Sequence, residues 1–387
     1  MIRTRWPVLA AFVVVTSANQ MLWLTFAPLT TDAAKHYGVS EGAIGALSAV
    51  FPLLYVVLAL PLGIALDRWF HSSLRIGAVL TAAGALVRLV GDDYGWVLAG
   101  QLLVAVAQPL VTNSVAKVGS AYSTEADQPT AIAVCSAGLF AGMLLAFASA
   151  AALGGDHLRL LLAVQAGYAV LGAALLSAGL RHRGREVDEA PISSGKAALR
   201  QVWADPVVRS MTALVVVGFG VFVGLTTWLQ ALLEPDGVSE TEAGVLLLVM
   251  VVAGVAGSLF LPPLASRRGA ERSVLLASLV VTATGAALLS VVHPVVLIGV
   301  LLAAMGLLLL ATLPIVLEVM ERRCGSASGT GAAVLWMAGN AGGLAVTGVL
   351  AALLDAPTAA FLVLAGIGLL GLPVLLRMDA DALRVGR

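Results

Sequence analysis

A chain of 387 residues that is 60% hydrophobic and only 11% charged has too little polar surface to cover a soluble body of that size. Soluble domains carry about one quarter charged residues, so most of this surface must face lipid. The 22 basic and 22 acidic residues cancel, and nothing in that balance points to a nucleic-acid partner.

Spans of roughly 17–25 mostly apolar residues cross a bilayer. Twelve such stretches are predicted, at 7–31, 43–66, 73–91, 95–119, 129–153, 157–180, 207–233, 240–264, 273–292, 294–318, 327–353 and 357–376. The first follows Arg3 and Arg5 as a signal peptide would, but its apolar run is long enough to be a retained span. With the N-terminus placed in the cytoplasm, every Lys and Arg falls on the inner side except Lys35, Arg159 and the intramembrane Arg88. A missed or invented span would scramble that sorting from its position onward. The expectation is therefore an all-α integral membrane protein with twelve helices and both termini inside.

The first span carries amides near its middle, Asn19 and Gln20, followed by Trp23 and Phe26. Asn19, Trp23 and Phe26 are spaced to share one helix face. They suit either a solute path or helix packing through hydrogen bonds. Asp32 closes this span at the expected outer mouth. Between the second and third spans the sequence reads GIALDRWFHSSLR, with Gly63, Asp67, Arg68 and Arg75. In the third span, Arg88 is near enough to Asp92 and Asp93 to be an outer-end anchor; buried charges in spans usually have partners. The fourth span, GQLLVAVAQPLVTNSVAK, puts Gln101, Gln108 and Thr112 near one face, and Pro109 is expected to break the helix ladder beside Gln108.

The longest polar interruption, residues 181–206, is expected to be a cytoplasmic linker with an amphipathic helix around Lys196–Trp203 at the membrane surface. It separates six spans in 1–180 from six in 207–387. The seventh span spaces Phe222, Thr226 and Gln230 along one face, with Trp228 on another. Glu318 lies near the inner end of the tenth span, within reach of Arg322 and Arg323. The eleventh, VLWMAGNAGG, sets Trp336 and Asn340 one turn apart. Cys135 and Cys324 lie far apart and imply no disulfide framework. His36, His71, His157, His182 and His293 fall in loops or at span ends, so neither a metal site nor a resident cofactor is expected. The one Gly-Lys pair, Gly195–Lys196, lacks the rest of a phosphate-binding loop. Short loops and the lack of clustered His, Asp or Cys at one face argue against a membrane enzyme, and no catalytic residues are expected.

Six spans, a central loop and six more, together with Gly63, Asp67, Arg68 and Arg75, resemble the major facilitator superfamily and its loop between spans two and three. The resemblance implies a gating latch in which the Asp67 carboxylate sits at a helix start and pairs with basic groups. Both features are physically sensible, since a helix N-terminus stabilises an anion and a switchable pair biases a two-state element. The corresponding stretch in the second half, GSLFLPPLASRRGAER, keeps Gly257, Arg267, Arg268 and Gly269 without the aspartate, so the latch is expected to be asymmetric.

Within that superfamily, Asn19–Trp23, the run from His36 to Trp69, GALVRL and VAQPLV resemble the feline leukaemia virus subgroup C receptor-related transporters, which are associated with choline, ethanolamine and haem. The likeness spans about 19–120 and returns at PIVLE (314–318) and LWMAGNAGG (335–343). It places that family's first-span cage tryptophan on Trp23, its fourth-span glutamine on Gln108 and its eleventh-span glutamine on Asn340. The seventh-span tyrosine falls near Val223, leaving the cage open unless Phe222, Trp228 or Trp336 substitutes. The implied substrate-binding set is Asn19, Trp23, Gln108, Thr112, Trp336 and Asn340, and the coupling candidates are Glu318, Asp32 and Arg88. The expected function is secondary active or facilitative transport of a small organic solute, such as an amine or amino alcohol, by alternating access. The alternative is a proton-coupled exporter of drugs or natural products. A monomer in the plasma (inner) membrane, in contact with lipid and its solute, completes the expectation.

Overall fold

The structure, a computed structural model, describes residues 4–153, 157–181, 195–238 and 240–378. Its long helices are α1 (Trp6–Leu24), α3 (Glu41–Arg68), α4 (Phe70–Val87), α5 (Tyr94–Thr112), α7 (Gln128–Leu153), α8 (Leu158–Gly179), α10 (Pro206–Leu233), α11 (Glu240–Arg268), α12 (Glu271–Leu289), α13 (Val295–Cys324), α14 (Ser328–Ala351) and α15 (Pro357–Leu376). They match the twelve expected spans one for one. A single continuous apolar stretch, Val295–Ala351, contains both α13 and α14. Shorter helices are α2 (Thr30–Tyr37), α6 (Val115–Ala121) and α9 (Gly195–Ala204).

Local chemistry sets the ends. The Ser40 hydroxyl accepts from the Ala43 amide at 3.2 Å to start α3. Asp93 accepts from Gly95 and Trp96 to start α5, and Asp205 accepts from Val207 to start α10. These caps satisfy amides that have no partner inside the helix. Gly38, Gly237 and Gly269 take left-handed backbone angles and end the preceding helical turns.

Three boundaries differ from expectation. The first span stops at Leu24, and Pro28, which lacks an amide hydrogen, opens a 3-10 turn over Ala27–Leu29 before α2. Helix α5 stays helical through Pro109. The break falls later, at Asn113–Ser114, where the Ser114 hydroxyl donates back to the Val111 carbonyl at 2.8 Å and competes with the ladder. The tenth span runs on to Cys324, so Glu318 lies well inside α13.

Of the expected linker, residues 182–194, with His182, lie outside the described residues. The expected amphipathic helix is α9, with Ala198 and Val202 buried one turn apart and Trp203 exposed.

The chain divides into two compact units: Met1–Leu199 with Cys324–Ala333, and Arg200–Arg323 with Val334–Arg387. In the first, Leu22, Phe51, Ala85, Val104 and Ala166 form an apolar core. Small residues let its backbones approach, which is how helices pack when lipid removes the hydrophobic drive. A Cβ on Gly84 would lie 2.6 Å from the Gly100 carbonyl oxygen. In the second unit, Gly257, retained from the degraded repeat, packs directly on the Leu307 backbone, and Arg267 and Arg268 are exposed. Large apolar side chains such as Phe260 and Val296 are mostly exposed on the spans, as lipid-facing surface requires.

Candidate functional site

In the first unit the Trp23 indole is half-buried on α1. Its Nε1 donates to the Ser48 carbonyl at 3.0 Å, and the Ser48 hydroxyl donates back to the Trp23 carbonyl at 3.4 Å. The ring leans on Phe51, with centroids 6.1 Å apart and planes inclined by 33°. Together α1 and α3 hold two aromatic faces, and an organic cation over such faces gains about 0.5–2 kcal/mol from each.

Asn19, one turn earlier, lies elsewhere. It is fully buried, and its amide nitrogen donates to Thr81 Oγ1 at 3.2 Å and the Val104 carbonyl at 3.3 Å. It bonds α1 to α4 and α5 inside the bundle. Phe26 is also fully buried, beyond the end of α1, so the three residues do not present one common face. Gln108 is 5% exposed on α5. Thr112 is 2% exposed, and its hydroxyl lies 2.9 Å from the Tyr55 hydroxyl, which also donates to Asn113 Oδ1 at 2.5 Å. Asn113 in turn donates to the Ala59 carbonyl at 3.3 Å. The structure thus uses Thr112 to fasten α3 to α5.

In the second unit Trp336 is 8% exposed and meets Phe219 edge-on, with centroids 5.7 Å apart; Phe219 also lies 6.2 Å from Phe222. Asn340 donates to the Trp336 carbonyl one turn back on its own helix, at 2.8 Å. Val223 packs against Gly343, and Trp228 Nε1 donates to the Thr347 carbonyl at 3.0 Å. The aromatic group of this unit is therefore Phe219, Phe222 and Trp336. Sequence reasoning missed Phe219, although its spacing of three from Phe222 on α10 was a usable signal.

Asp67, at the end of α3, is 6% exposed and accepts from four donors at the start of α14 and on α6. Its Oδ1 accepts from the Gly329 amide at 2.6 Å and from Lys117 Nζ at 3.3 Å. Its Oδ2 accepts from the Thr330 amide at 2.8 Å and the Thr330 hydroxyl at 2.7 Å. A carboxylate is thus held at a helix N-terminus beside a buried ammonium, the favoured site for an anion. Gly63 permits this approach, since a Cβ there would lie 2.6 Å from the Gly329 carbonyl oxygen. The basic partner is Lys117, which is 1% exposed, and not Arg68 or Arg75. Arg68 is exposed and stacks over the Trp69 ring at 4.3 Å, and Arg75 is exposed. The small-residue run GSASGTG, which leads into the first turn of α14, was the hint in the sequence that backbone amides would complete this site.

The coupling candidates separate as well. Asp32 is exposed in the first turn of α2. Glu318 is 5% exposed and ion-pairs with Arg322 one turn on. Arg88 does not anchor to Asp92 or Asp93: Asp92 pairs with His36 at 3.0 Å, and Asp93 caps α5. Arg88 is instead 1% exposed and turned into the bundle. One guanidinium nitrogen donates to Gln101 Oε1 at 3.1 Å and Thr25 Oγ1 at 3.3 Å, and the other to Gln165 Oε1 at 3.2 Å. Burying an arginine in a span costs roughly 2.5–3.5 kcal/mol on insertion scales. Three neutral acceptors and the negative end of α4, where Arg88 is the terminal cap, offset part of that. Nearby in α2, burial first and the Asp92 carboxylate second push the Tyr37 hydroxyl up to about 12, keeping it neutral. Among the described residues there is no group of three or more His, Cys, Asp or Glu that could hold a metal ion.

The model of the Major Facilitator Superfamily matches residues 9–347, and the chain belongs to that family. It is a multi-pass membrane protein with the fold of transporters, not of enzymes. The chain is similar to solute carrier family 49 member A3 of Danio rerio, with 30% identity over 278 residues, covering 67% of this chain and 58% of the relative. It is also similar to the choline/ethanolamine transporter flvcr2a of Danio rerio, at 26% identity over 288 residues, 66% of this chain and 60% of the relative. The chain thus spans about three-fifths of the length of these relatives. Among solved structures, the E. coli fucose:proton symporter superposes with a TM-score of 0.73 at 16% identity, covering 96% of this chain and 98% of that one. A bacterial homologue of the iron transporter ferroportin gives 0.75 at 16% identity, with the same coverage. At such identities these two structures establish the fold alone.

Proposed function

We propose that this protein is a secondary transporter that carries a small organic amine or amino alcohol across the plasma membrane by alternating access, with both termini in the cytoplasm. The observation that carries this reading is the half-buried Trp23 indole, fixed by Ser48 and leaning on Phe51. An organic ammonium is the solute class that gains most from such faces. Relatives named as choline/ethanolamine transporters support the same class. Gln108 is the further contact proposed in the first unit, and the second unit carries an aromatic group of its own, Phe219, Phe222 and Trp336 with Asn340. With valine at position 223, the aromatic group on α10 and α14 is Phe219, Phe222 and Trp336. Asp67, Lys117 and the start of α14 are the proposed latch, with Gly63 permitting close approach and Arg68 and Arg75 fixing topology. In liposomes containing the purified protein, labelled choline or ethanolamine should accumulate, and Trp23→Ala should cut uptake at least tenfold. Equal uptake by wild type and Trp23→Ala would sink the assignment of the site.

One observation favours a proton-coupled exporter instead. Glu318 is a buried carboxylate inside α13, and its ion-pair partner is Arg322. If that reading holds, Glu318→Gln abolishes transport driven by a pH gradient while leaving solute exchange at equal pH intact. Gradient-driven transport at the wild-type rate in Glu318→Gln would remove Glu318 as the carrier.

A further inference from the structure

Arg88 is the buried cation that neither the latch nor the solute site uses, and its surroundings say what it does. Its three acceptors come from three elements: Thr25 directly after α1, Gln101 on α5 and Gln165 on α8. These acceptors are themselves tied down. Thr25 Oγ1 donates to Gln165 Oε1 at 2.7 Å, Gln165 Nε2 donates to Ser149 Oγ on α7 at 3.1 Å, and Gln101 Nε2 donates to the Leu47 carbonyl on α3 at 3.3 Å. The guanidinium carbon also sits 5.9 Å from the Phe26 ring centroid. The six large helices of the first unit therefore converge on one side chain, at the point where the first span breaks. Gly100 leaves room for it, because a Cβ there would collide with the Arg88 side chain. Among the described residues Arg88 Nε has no partner, and no carboxylate bonds to the guanidinium. Stability alone would be served better by an apolar residue, since a buried charge is weak evidence for stabilisation.

We infer that Arg88 is a positioning residue for Trp23. The break after Leu24 releases the ladder that would otherwise hold the end of α1, and Trp23 lies two residues before Thr25. Fixing Thr25 and Phe26 from α4, α5 and α8 fixes the last turn of α1, and with it the indole that Ser48 holds from the other side. A planar fork of donors suits this role because it sets direction as well as distance to several acceptors at once. This inference rests on the reading of Trp23 as a solute contact, but its first test does not.

The full-length protein, labelled with 5-fluorotryptophan, gives one fluorine resonance for each of seven tryptophans, with Trp23 assigned through Trp23→Phe. Thr25→Val removes the hydroxyl and keeps the shape, and Arg88→Lys keeps the charge without the fork. The Trp23 resonance should shift or broaden in Thr25→Val and in Arg88→Met, and less in Arg88→Lys, while Trp228 and Trp336 stay in place. An unmoved Trp23 resonance in folded Thr25→Val and Arg88→Lys overturns the inference. So does an equal shift of all seven resonances, which marks a general packing role. For whichever of choline and ethanolamine the wild type carries, Thr25→Val should raise KM about tenfold with Vmax within twofold. A moved resonance with unchanged KM overturns the link to recognition. If neither solute is carried, the transport reading fails while the resonance test still decides the positioning.

Discussion

Replacing Asp67 by Asn tests how the end of α3 is tied to the start of α14. The carboxylate accepts from two backbone amides, a hydroxyl and an ammonium, all buried. An amide side chain keeps one acceptor oxygen and turns an NH₂ toward one of the two backbone N–H groups. It also leaves Lys117, 1% exposed, without its charge partner. Removing one member of a buried ion pair costs about 3–5 kcal/mol, and hydrogen bonds to charged groups contribute about 1.5–3 kcal/mol each. These figures overlap because the groups are coupled, so we expect ~3–4 kcal/mol in the equilibrium between bound and released α14 start. At 1.4 kcal/mol per factor of ten, that is ~10²–10³-fold. The native Cys324 thiol, 5% exposed and just before this segment, reports the equilibrium directly. In a Cys135→Ala background, a membrane-permeant maleimide should label Cys324 about 10²–10³ times faster in Asp67→Asn than in the parent. When reclosing outpaces labelling, the rate follows the open population. Thr330→Val, which removes only the hydroxyl donor, should give about a tenfold increase. Labelling of folded Asp67→Asn within threefold of the parent would refute the tether.

Gly63→Ala should act in the same direction through sterics alone. Its Cβ would lie 2.6 Å from the Gly329 carbonyl oxygen and 2.7 Å from Ala333 Cβ, and overpacking costs about 1–3 kcal/mol, so Cys324 labelling should rise roughly 5–100-fold. Asn19→Leu should lower thermal stability by about 1 kcal/mol, the scale of interhelical hydrogen bonds in membranes, while solute affinity stays within twofold. A large loss of affinity with unchanged stability would return Asn19 to the solute path.

The amino-acid sequence by itself determined the solvent, the number of crossings and the sorting of charge. Each is a property of composition along one dimension: a stretch is apolar enough to cross or it is not, and Lys and Arg collect in alternate loops. The same sequence also marked Trp23, Asp67, Glu318 and Arg88 as residues out of place in lipid. It could not say which way they turn. In a soluble helix the apolar stripe reveals the inside, but lipid-facing and protein-facing sides of a span are equally apolar, so periodicity gives no such signal. Only the tertiary structure turned Asn19 toward Thr81 and Val104 and took Arg88 from its neighbours Asp92 and Asp93 to the amides of Gln101 and Gln165. It also brought Asp67 to backbone amides 262 and 263 residues away. Those partners are backbone groups or neutral side chains, which carry no distinctive residue type, and their approach depends on glycines at 63, 84 and 100 whose value appears only when two helices meet.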